Sequence, residues 1–352
     1  MTGVGPPAPP GPPGAPAQAW EPRAYPQALR GPWHRWWRPL LGIAVVLGAG
    51  LIAVIGLTLV LAVYALLSLS GAVGTPAFVE DAWFVTPWGL LSTNLALAMG
   101  IPVAGLAVWA GQRWRPGFVS SVAGRLRWPL LLASTTRAAL VLVPMLLAAI
   151  VVDAATSGAF GDLLAFAPEP QWLALALVVL LTTPLQAAGE EYFFRGWLTQ
   201  AIGSWCASAR LALVLPALVS ATLFALAHGA QDPWLFADRF VFGLLASLLV
   251  WRTGGLEGAI AVHTVNNVVV FAVAIAYGDL EASLGVTSAS PWIVLLDVVA
   301  FAAAALVVVR HADRAGVARE VPGGWVGRRP PAPRTFPGTG LPGPDPTGSE
   351  AR

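Results

Sequence analysis

Apolar residues run almost without interruption over eight stretches of this chain. The stretches cover approximately residues 40–69, 88–110, 129–152, 171–193, 211–228, 235–252, 257–277 and 291–310. About 20 consecutive apolar residues are enough for a helix to cross a bilayer. The pattern therefore predicts an all-α polytopic membrane protein with about eight transmembrane helices.

The polar connections between these stretches alternate in charge. Arginine occurs in the N-terminal segment, in the loop over 113–127, after the fourth and sixth stretches and after the last one. Asp and Glu occur in the other connections, and Arg239 is the one arginine among them. Positively charged loops stay in the cytoplasm. Both termini are therefore predicted to be cytoplasmic, and an even number of crossings agrees with this.

The composition divides the chain into a membrane domain and two tails. Charged residues make up 11% of the 352 residues, against about 25% in soluble domains. Residues 1–38 and 313–352 are rich in Pro and Gly and predict disordered cytoplasmic tails, which leaves residues 39–312 as the membrane domain. Every basic residue except histidine is Arg, which suggests GC-rich coding, so a prokaryotic cell membrane is the expected location.

The same composition limits the partners. The net charge of +2 gives no argument for nucleic acid, and the expected partners are the bilayer and a membrane protein or peptide substrate. The single cysteine, Cys206, excludes an intrachain disulfide and a multi-cysteine metal site. The oligomeric state is left open.

Three polar groups stand in or at the ends of apolar stretches, where a charge costs at least about 3 kcal/mol. The first is Glu190, Glu191 and Arg195 in the sequence GEEYFFRGW. Glu191 and Arg195 are four residues apart and share a helix face, whereas Glu190 points about 100° away and is free for another task. The alternative is a helix end that reaches water, where these residues form a solvated cap.

The other two groups are histidine motifs. His228 ends the sequence FALAH, in which Phe224 and His228 share a face, and His263 begins HTVNN, in which it shares a face with Asn267. A lone histidine is often a packed residue, and amides commonly bond between membrane helices. Together, however, a carboxylate, two imidazoles and an amide can activate water and stabilise an oxyanion, or they can supply a His/His/Glu zinc site.

These motifs, in this order on successive helices, resemble the CPBP family of intramembrane proteases. The family comprises type II CAAX prenyl proteases and bacteriocin-processing or immunity proteins, also called the Abi family. EEYFFR, FALAH and HTVNN carry the resemblance, together with FRGWL and GLLASLLVWRTGGLEGAIAVH between them. The resemblance covers roughly residues 170–275.

The resemblance implies cleavage of a peptide bond in a membrane-associated or lipid-modified protein. It implies Glu190 as the base that activates water, His228 as its assistant, His263 and Asn267 as the oxyanion site, and Glu191 and Arg195 as supporting residues. No cofactor is certain. A zinc held by Glu190, His228 and His263 is the alternative to a metal-free mechanism, although the chain has no HExxH motif.

Two further functions stay open. A non-catalytic membrane scaffold, or a bacteriocin-immunity type of partner protein, has the same fold without the chemistry. A transporter with buried carboxylates is disfavoured because the chain shows no internal repeat.

The catalytic interpretation makes one demand on the fold. If the fourth helix ended near residue 193, Glu190 would lie close to the cytoplasmic face and about 26 Å from His228, at 1.5 Å per residue. The two groups meet only if the helix continues to about Ser204, with Pro184 as a potential kink. The sequence therefore predicts a long or broken fourth helix and a water-accessible cavity within the bundle.

Overall fold

The structure, a computed structural model, describes residues 21–31, 34–70 and 83–322. Its elements are β1 (Arg23–Ala24), α1 (Arg38–Leu69), α2 (Pro87–Ala98), α3 (Gly100–Ala107), α4 (Gly117–Ser120), α5 (Trp128–Ser157), α6 (Trp172–Glu191), α7 (Thr199–Trp205), α8 (Ala209–Leu226), α9 (Pro233–Thr253), α10 (Glu257–Tyr277), α11 (Leu280–Leu284), α12 (Pro291–Arg314) and β2 (Glu320–Val321). Short 3₁₀ turns lie at Tyr25–Gln27, Trp83–Val85 and Phe160–Leu164, and π-helical segments lie at Val108–Gln112 and Tyr192–Leu198.

The protein is an integral membrane protein, and the prediction of eight spans is confirmed. Eight helices of the described residues are long and apolar enough to cross a bilayer. They are α1, α2 with α3 and the following π segment, α5, α6 with α7, and then α8, α9, α10 and α12. We call the side of the bundle where α1 begins and α12 ends the terminus face.

Polar residues set the ends of these helices. Thr86, Asp232 and Ser290 each accept a hydrogen bond from a backbone N–H in the first turn of α2, α9 and α12, which satisfies a donor that the helix itself cannot pair. Gly254 and Gly278 follow α9 and α10 in the left-handed region, with φ of +69° and +71°. Glycine adopts this conformation without strain and ends each helix.

The fourth span is longer than its apolar stretch, as the catalytic interpretation requires. It runs from Trp172 to Trp205 over 34 residues, because α6, the π segment Tyr192–Leu198 and α7 follow one another without a break. Glu190 therefore lies near the middle of the span. The expectation of a helix that continues to about Ser204 is confirmed.

The prediction of a disordered tail over all of residues 1–38 is wrong for its last part. β1 pairs antiparallel with β2, with Arg23 opposite Val321. Tyr25 is fully buried, and its hydroxyl donates to the carbonyl oxygen of Val119. A buried tyrosine and its hydrogen bond tie this segment to the terminus face, whereas a Pro- and Gly-rich composition gave no sign of it. Residues 1–20 lie outside the described residues.

The predicted C-terminal tail is likewise too long at its beginning. α12 continues to Arg314, and Glu320–Val321 form β2. Residues 323–352 lie outside the described residues.

A buried ion pair fixes the start of α10, the helix that carries His263. Glu257 is fully buried and accepts from Arg127 through both oxygens, at 2.9 Å from Nε and 2.7 Å from Nη2. Arg127 also donates to the carbonyl oxygen of Thr253 at 2.9 Å. The planar guanidinium thus joins the beginnings of α5 and α10 to the end of α9.

Two glycines let α2 and α3 approach α6 at the level of the glutamates. A Cβ on Gly100 would overlap the carbonyl group of Gly189, and a Cβ on Gly189 would overlap the backbone at Leu97. Contact between backbones at small residues is a common way of packing membrane helices. Gly189 thus holds Glu190 against the second span.

Gly100→Ala is expected to destabilise the protein by about 1–3 kcal/mol, because the added methyl group forces two backbones apart. The free energy of unfolding in mild detergent measures this. Gly48→Ala is the matched control, since nothing lies within 4 Å of a Cβ at that helical glycine. Equal losses in the two variants would contradict the close approach.

Candidate active site

Glu191 and Arg195 form a fully buried ion pair at the turn from α6 into the π segment. Arg195 Nη1 lies 3.0 Å from Glu191 Oε1, and neither side chain is exposed to solvent. The pair is the i, i+4 contact expected from the sequence. A charge that is removed from water needs such a partner.

Aromatic rings complete the environment of this pair. The Arg195 guanidinium carbon lies 4.2 Å from the centroid of Phe224 and 5.7 Å from that of Phe242. The same two rings contact the His263 imidazole, at centroid distances of 5.8 and 5.1 Å. Cation–π contact stabilises a desolvated guanidinium. Phe224 of the FALAH motif therefore packs on both Arg195 and His263.

His263 lies between the two glutamates. Its Nδ1 is 2.9 Å from Glu191 Oε1, and its Nε2 is 3.6 Å from Glu190 Oε2. Arg195 donates to the same Glu191 oxygen. Glu191 is therefore a carboxylate, and its Oε1 accepts from both Arg195 and His263. Nδ1 therefore carries a proton, and Nε2 faces Glu190.

Asn267 reaches Glu190 through a residue that sequence reasoning missed. Asn267 Nδ2 donates to Gln186 Oε1 at 3.1 Å, and Gln186 Nε2 donates to Glu190 Oε1 at 2.8 Å. Asn266 Nδ2 in turn donates to Asn267 Oδ1 at 3.1 Å. Three amides thus form a directed chain that ends on one carboxylate oxygen. The available signal was a buried glutamine one turn before Glu190 in an otherwise apolar helix.

His228 approaches the site from just beyond the end of α8. Its Nδ1 lies 2.8 Å from the carbonyl oxygen of Phe224, which can only accept, so Nδ1 is the donor. Burial lowers the pKa of His228 below its usual value, although the charge of Glu190 acts in the opposite direction. The neutral ring therefore leaves Nε2 free to accept a proton.

A cavity of about 430 Å³ joins the first and second motifs. Glu190 and His228 both line it, together with Phe193, Phe194 and residues of α2 and α6. The volume is enough for water molecules beside Glu190 and His228, the two polar side chains of a wall that is otherwise apolar. Glu191, Arg195 and His263 lie behind this wall, and Asn267 reaches it through the amide chain.

The described residues do not fit the zinc alternative. Among them, no group of three His, Cys, Asp or Glu side chains is arranged to hold a metal ion. Glu190 and His228 share the cavity wall, but both nitrogens of His263 face glutamate oxygens. We therefore derive no step through a metal.

Gln186→Leu is expected to lower kcat for the reaction of this site about tenfold and to leave KM nearly unchanged. Leucine fills the space but removes both amide contacts, so Glu190 and Asn267 lose the group that aligns them. Steady-state kinetics with a peptide that the wild type hydrolyses measures kcat and KM separately. Gln171→Leu, at the exposed outer end of the same span, is the control. A rise in KM for Gln186→Leu as large as the fall in kcat would argue against a positioning role.

Comparison with known proteins agrees with the resemblance carried by the motifs. Residues 170–269 match the family model of the type II CAAX prenyl endopeptidase, Rce1-like. The matched segment, here called the Rce1-like segment, contains all three motifs and Gln186. It covers less than a third of the chain, so it describes α6 to α10 and not the first three spans.

A curated relative extends the likeness to a bacterium. The uncharacterized protein YyaK of Bacillus subtilis (strain 168) is 29% identical over 102 residues, which are 27% of this chain and 32% of that protein. The similarity thus spans about a third of the relative. No solved structure matches the chain significantly.

Proposed function

We propose that this protein is an intramembrane endopeptidase that hydrolyses a peptide bond of a membrane-associated or lipid-modified protein. The observation that carries the proposal is the arrangement around Glu190, a carboxylate on the wall of a membrane cavity that His228 also lines. The Rce1-like segment supports the same class of reaction.

In the proposed mechanism, Glu190 takes a proton from a water molecule in the cavity, and the hydroxide attacks the scissile carbonyl carbon. His228 assists by accepting this proton from Glu190 at Nε2 and passing it to the nitrogen of the leaving amine as the C–N bond breaks. General acid–base groups contribute about 10²–10⁴-fold each in enzymes. This assignment uses a carboxylate near the reacting water and a neutral imidazole opposite it.

The oxyanion is held by Asn267 and His263 in this proposal. Asn267 donates one of its two amide N–H groups to Gln186, which leaves the other for the substrate. His263 serves this role when Nε2, which faces Glu190, carries a proton in addition to Nδ1. Glu191 and Arg195 hold the imidazole from behind and are positioning residues.

A second cavity supports an apolar substrate. It has a volume of about 400 Å³ between α6 and α10, and Trp172, Val179, Val268 and Ile275 are among its lining residues. Val268 directly follows Asn267 in the chain. The apolar walls of this cavity match an apolar segment or a lipid group of a substrate.

The charges of the connections support a topology with both termini in the cytoplasm. Arg125, Arg210, Arg252 and Arg310 all lie at the terminus face, which we propose to be the cytoplasmic side of a prokaryotic cell membrane. The bacterial relative agrees with this origin.

Cleavage of a quenched fluorogenic peptide library by the purified protein in detergent tests the proposal. We expect hydrolysis by the wild type, none by Glu190→Gln, and no effect of a chelator. Loss of cleavage with chelator and recovery with zinc would replace the metal-free mechanism. No cleavage at all, together with a cellular phenotype that survives Glu190→Ala and His228→Ala, would favour the non-catalytic scaffold.

A further inference from the structure

A second site is suggested by a buried arginine whose guanidinium carbon lies 5.5 Å from the centroid of the Trp37 ring but whose N–H groups lack acceptors. Arg38 begins α1 at the terminus face, and only 8% of its surface is exposed. Its Nε and Nη1 groups have no hydrogen-bond partner among the described residues. A buried cation normally has a counter-charge or acceptors.

The surroundings of Arg38 supply positive charge instead. Within the described ranges, the charges that act on Arg38 are those of Arg113 and Arg35, and both are positive. The neighbouring His34 reports the same field, since burial and four arginines lower its pKa to about 4. An anion would compensate this positive charge and accept from the unpaired N–H groups of Arg38.

Additional donors lie in the same region. Gln112 is 1% exposed, and both atoms of its amide lack partners in the described part of the chain. The Trp197 Nε1 is also unpartnered there, and it lies 2.8 Å from where a Cβ on Gly42 would stand. A Cβ on Gly111 would lie 2.9 Å from the Gly42 nitrogen, so Gly111 packs against this same turn of α1. Guanidinium, amide and indole N–H groups thus surround the beginning of α1.

The lipid-facing side of this region identifies the source of the anion. Trp36 is 70% exposed, and Leu40, Leu41 and Leu47 are exposed along α1. The spanning part of α1 is only 11% buried, so acyl chains have room beside it. Tryptophan is enriched at the level of lipid headgroups.

We propose that Arg38 and Arg113 bind the phosphate of an anionic phospholipid at the terminus face, with its acyl chains along α1. The backbone of Arg113 supports a constrained role, because it is the one non-glycine position of the described residues with positive φ, at +59°. Such a conformation is uncommon for arginine.

Native mass spectrometry of the detergent-purified protein tests this proposal. Phosphatidylglycerol, phosphatidylcholine and inorganic phosphate are titrated separately into delipidated wild type, Arg38→Gln, Arg113→Asn and Arg310→Gln. An interfacial arginine contributes about 1 kcal/mol to attraction by anionic lipid, or roughly fivefold in affinity. We expect Arg38→Gln and Arg113→Asn each to weaken phosphatidylglycerol binding at least about fivefold.

The controls separate the sources of the anion. Arg310→Gln removes an exposed arginine from the same face and should bind phosphatidylglycerol like the wild type. Preference for phosphatidylglycerol over both other ligands identifies the lipid headgroup, whereas equal displacement by inorganic phosphate identifies a free phosphate site. Unchanged phosphatidylglycerol binding in both Arg38→Gln and Arg113→Asn overturns the proposal. If Arg38→Gln fails to fold, Arg113→Asn decides, because asparagine tolerates the left-handed backbone.

Discussion

Glu190→Gln is expected to lower kcat for peptide hydrolysis by about 10²–10⁴-fold, the usual contribution of a general base. Glutamine has the same shape, and its carbonyl oxygen can still accept the hydrogen bond that Gln186 donates to Glu190 Oε1. The substitution therefore removes the basic oxygen and keeps the geometry. The free energy of unfolding should change little, because Glu190 is on a cavity wall and is not part of the buried ion pair.

The measurement is the rate of cleavage of a fluorogenic peptide selected from the library, with enzyme in excess. Glu281→Gln makes the same chemical change at an exposed position outside the site and should cleave at the wild-type rate. A Glu190→Gln protein that cleaves within tenfold of wild type would remove Glu190 from its proposed role.

Arg195→Met is expected to destabilise the protein by about 3–5 kcal/mol, the cost of leaving one buried charge without its partner. Glu191 is fully buried, and Arg195 is its cationic partner on the same helix. The methionine side chain also gives up the cation–π contact with Phe224. Activity should fall with stability, since the Glu191 carboxylate positions His263.

The double variant Arg195→Met/Glu191→Gln separates charge from packing. It removes both charges but keeps an amide oxygen that can accept from His263 Nδ1, so it should recover much of the lost stability without full activity. Thermal and denaturant unfolding in detergent measure both proteins. An Arg195→Met variant within about 1 kcal/mol of wild type would mean that the buried pair contributes little.

The two sets of variants report on different properties of one site. Glu190→Gln should affect catalysis alone, whereas Arg195→Met should affect folding first. This difference follows from position, because Glu190 borders the cavity and Glu191 lies in the protein interior. We therefore expect the two adjacent glutamates to have separate tasks.

The sequence by itself determined the membrane architecture. A bilayer admits only segments of about 20 apolar residues with internally paired backbones, so apolar length alone located all eight spans. It also indicated the i, i+4 pair of Glu191 and Arg195, because helix geometry fixes that contact locally. The condition that Glu190 and His228 must lie close together was enough to predict that the fourth helix extends to about Ser204.

Only the tertiary structure placed His263 between the glutamates and Gln186 between Glu190 and Asn267. In a membrane protein, the side chains that face lipid are as apolar as those that face the core, so the sequence does not mark how each helix is rotated. The same reason hid the buried Nε and Nη1 of Arg38, which lack hydrogen-bond partners among the described residues. In the sequence, Arg38 stands at the start of an apolar stretch like any interfacial arginine. Only the folded structure shows that the charges around it are positive. Long-range packing, and not local pattern, decided which polar groups share a site.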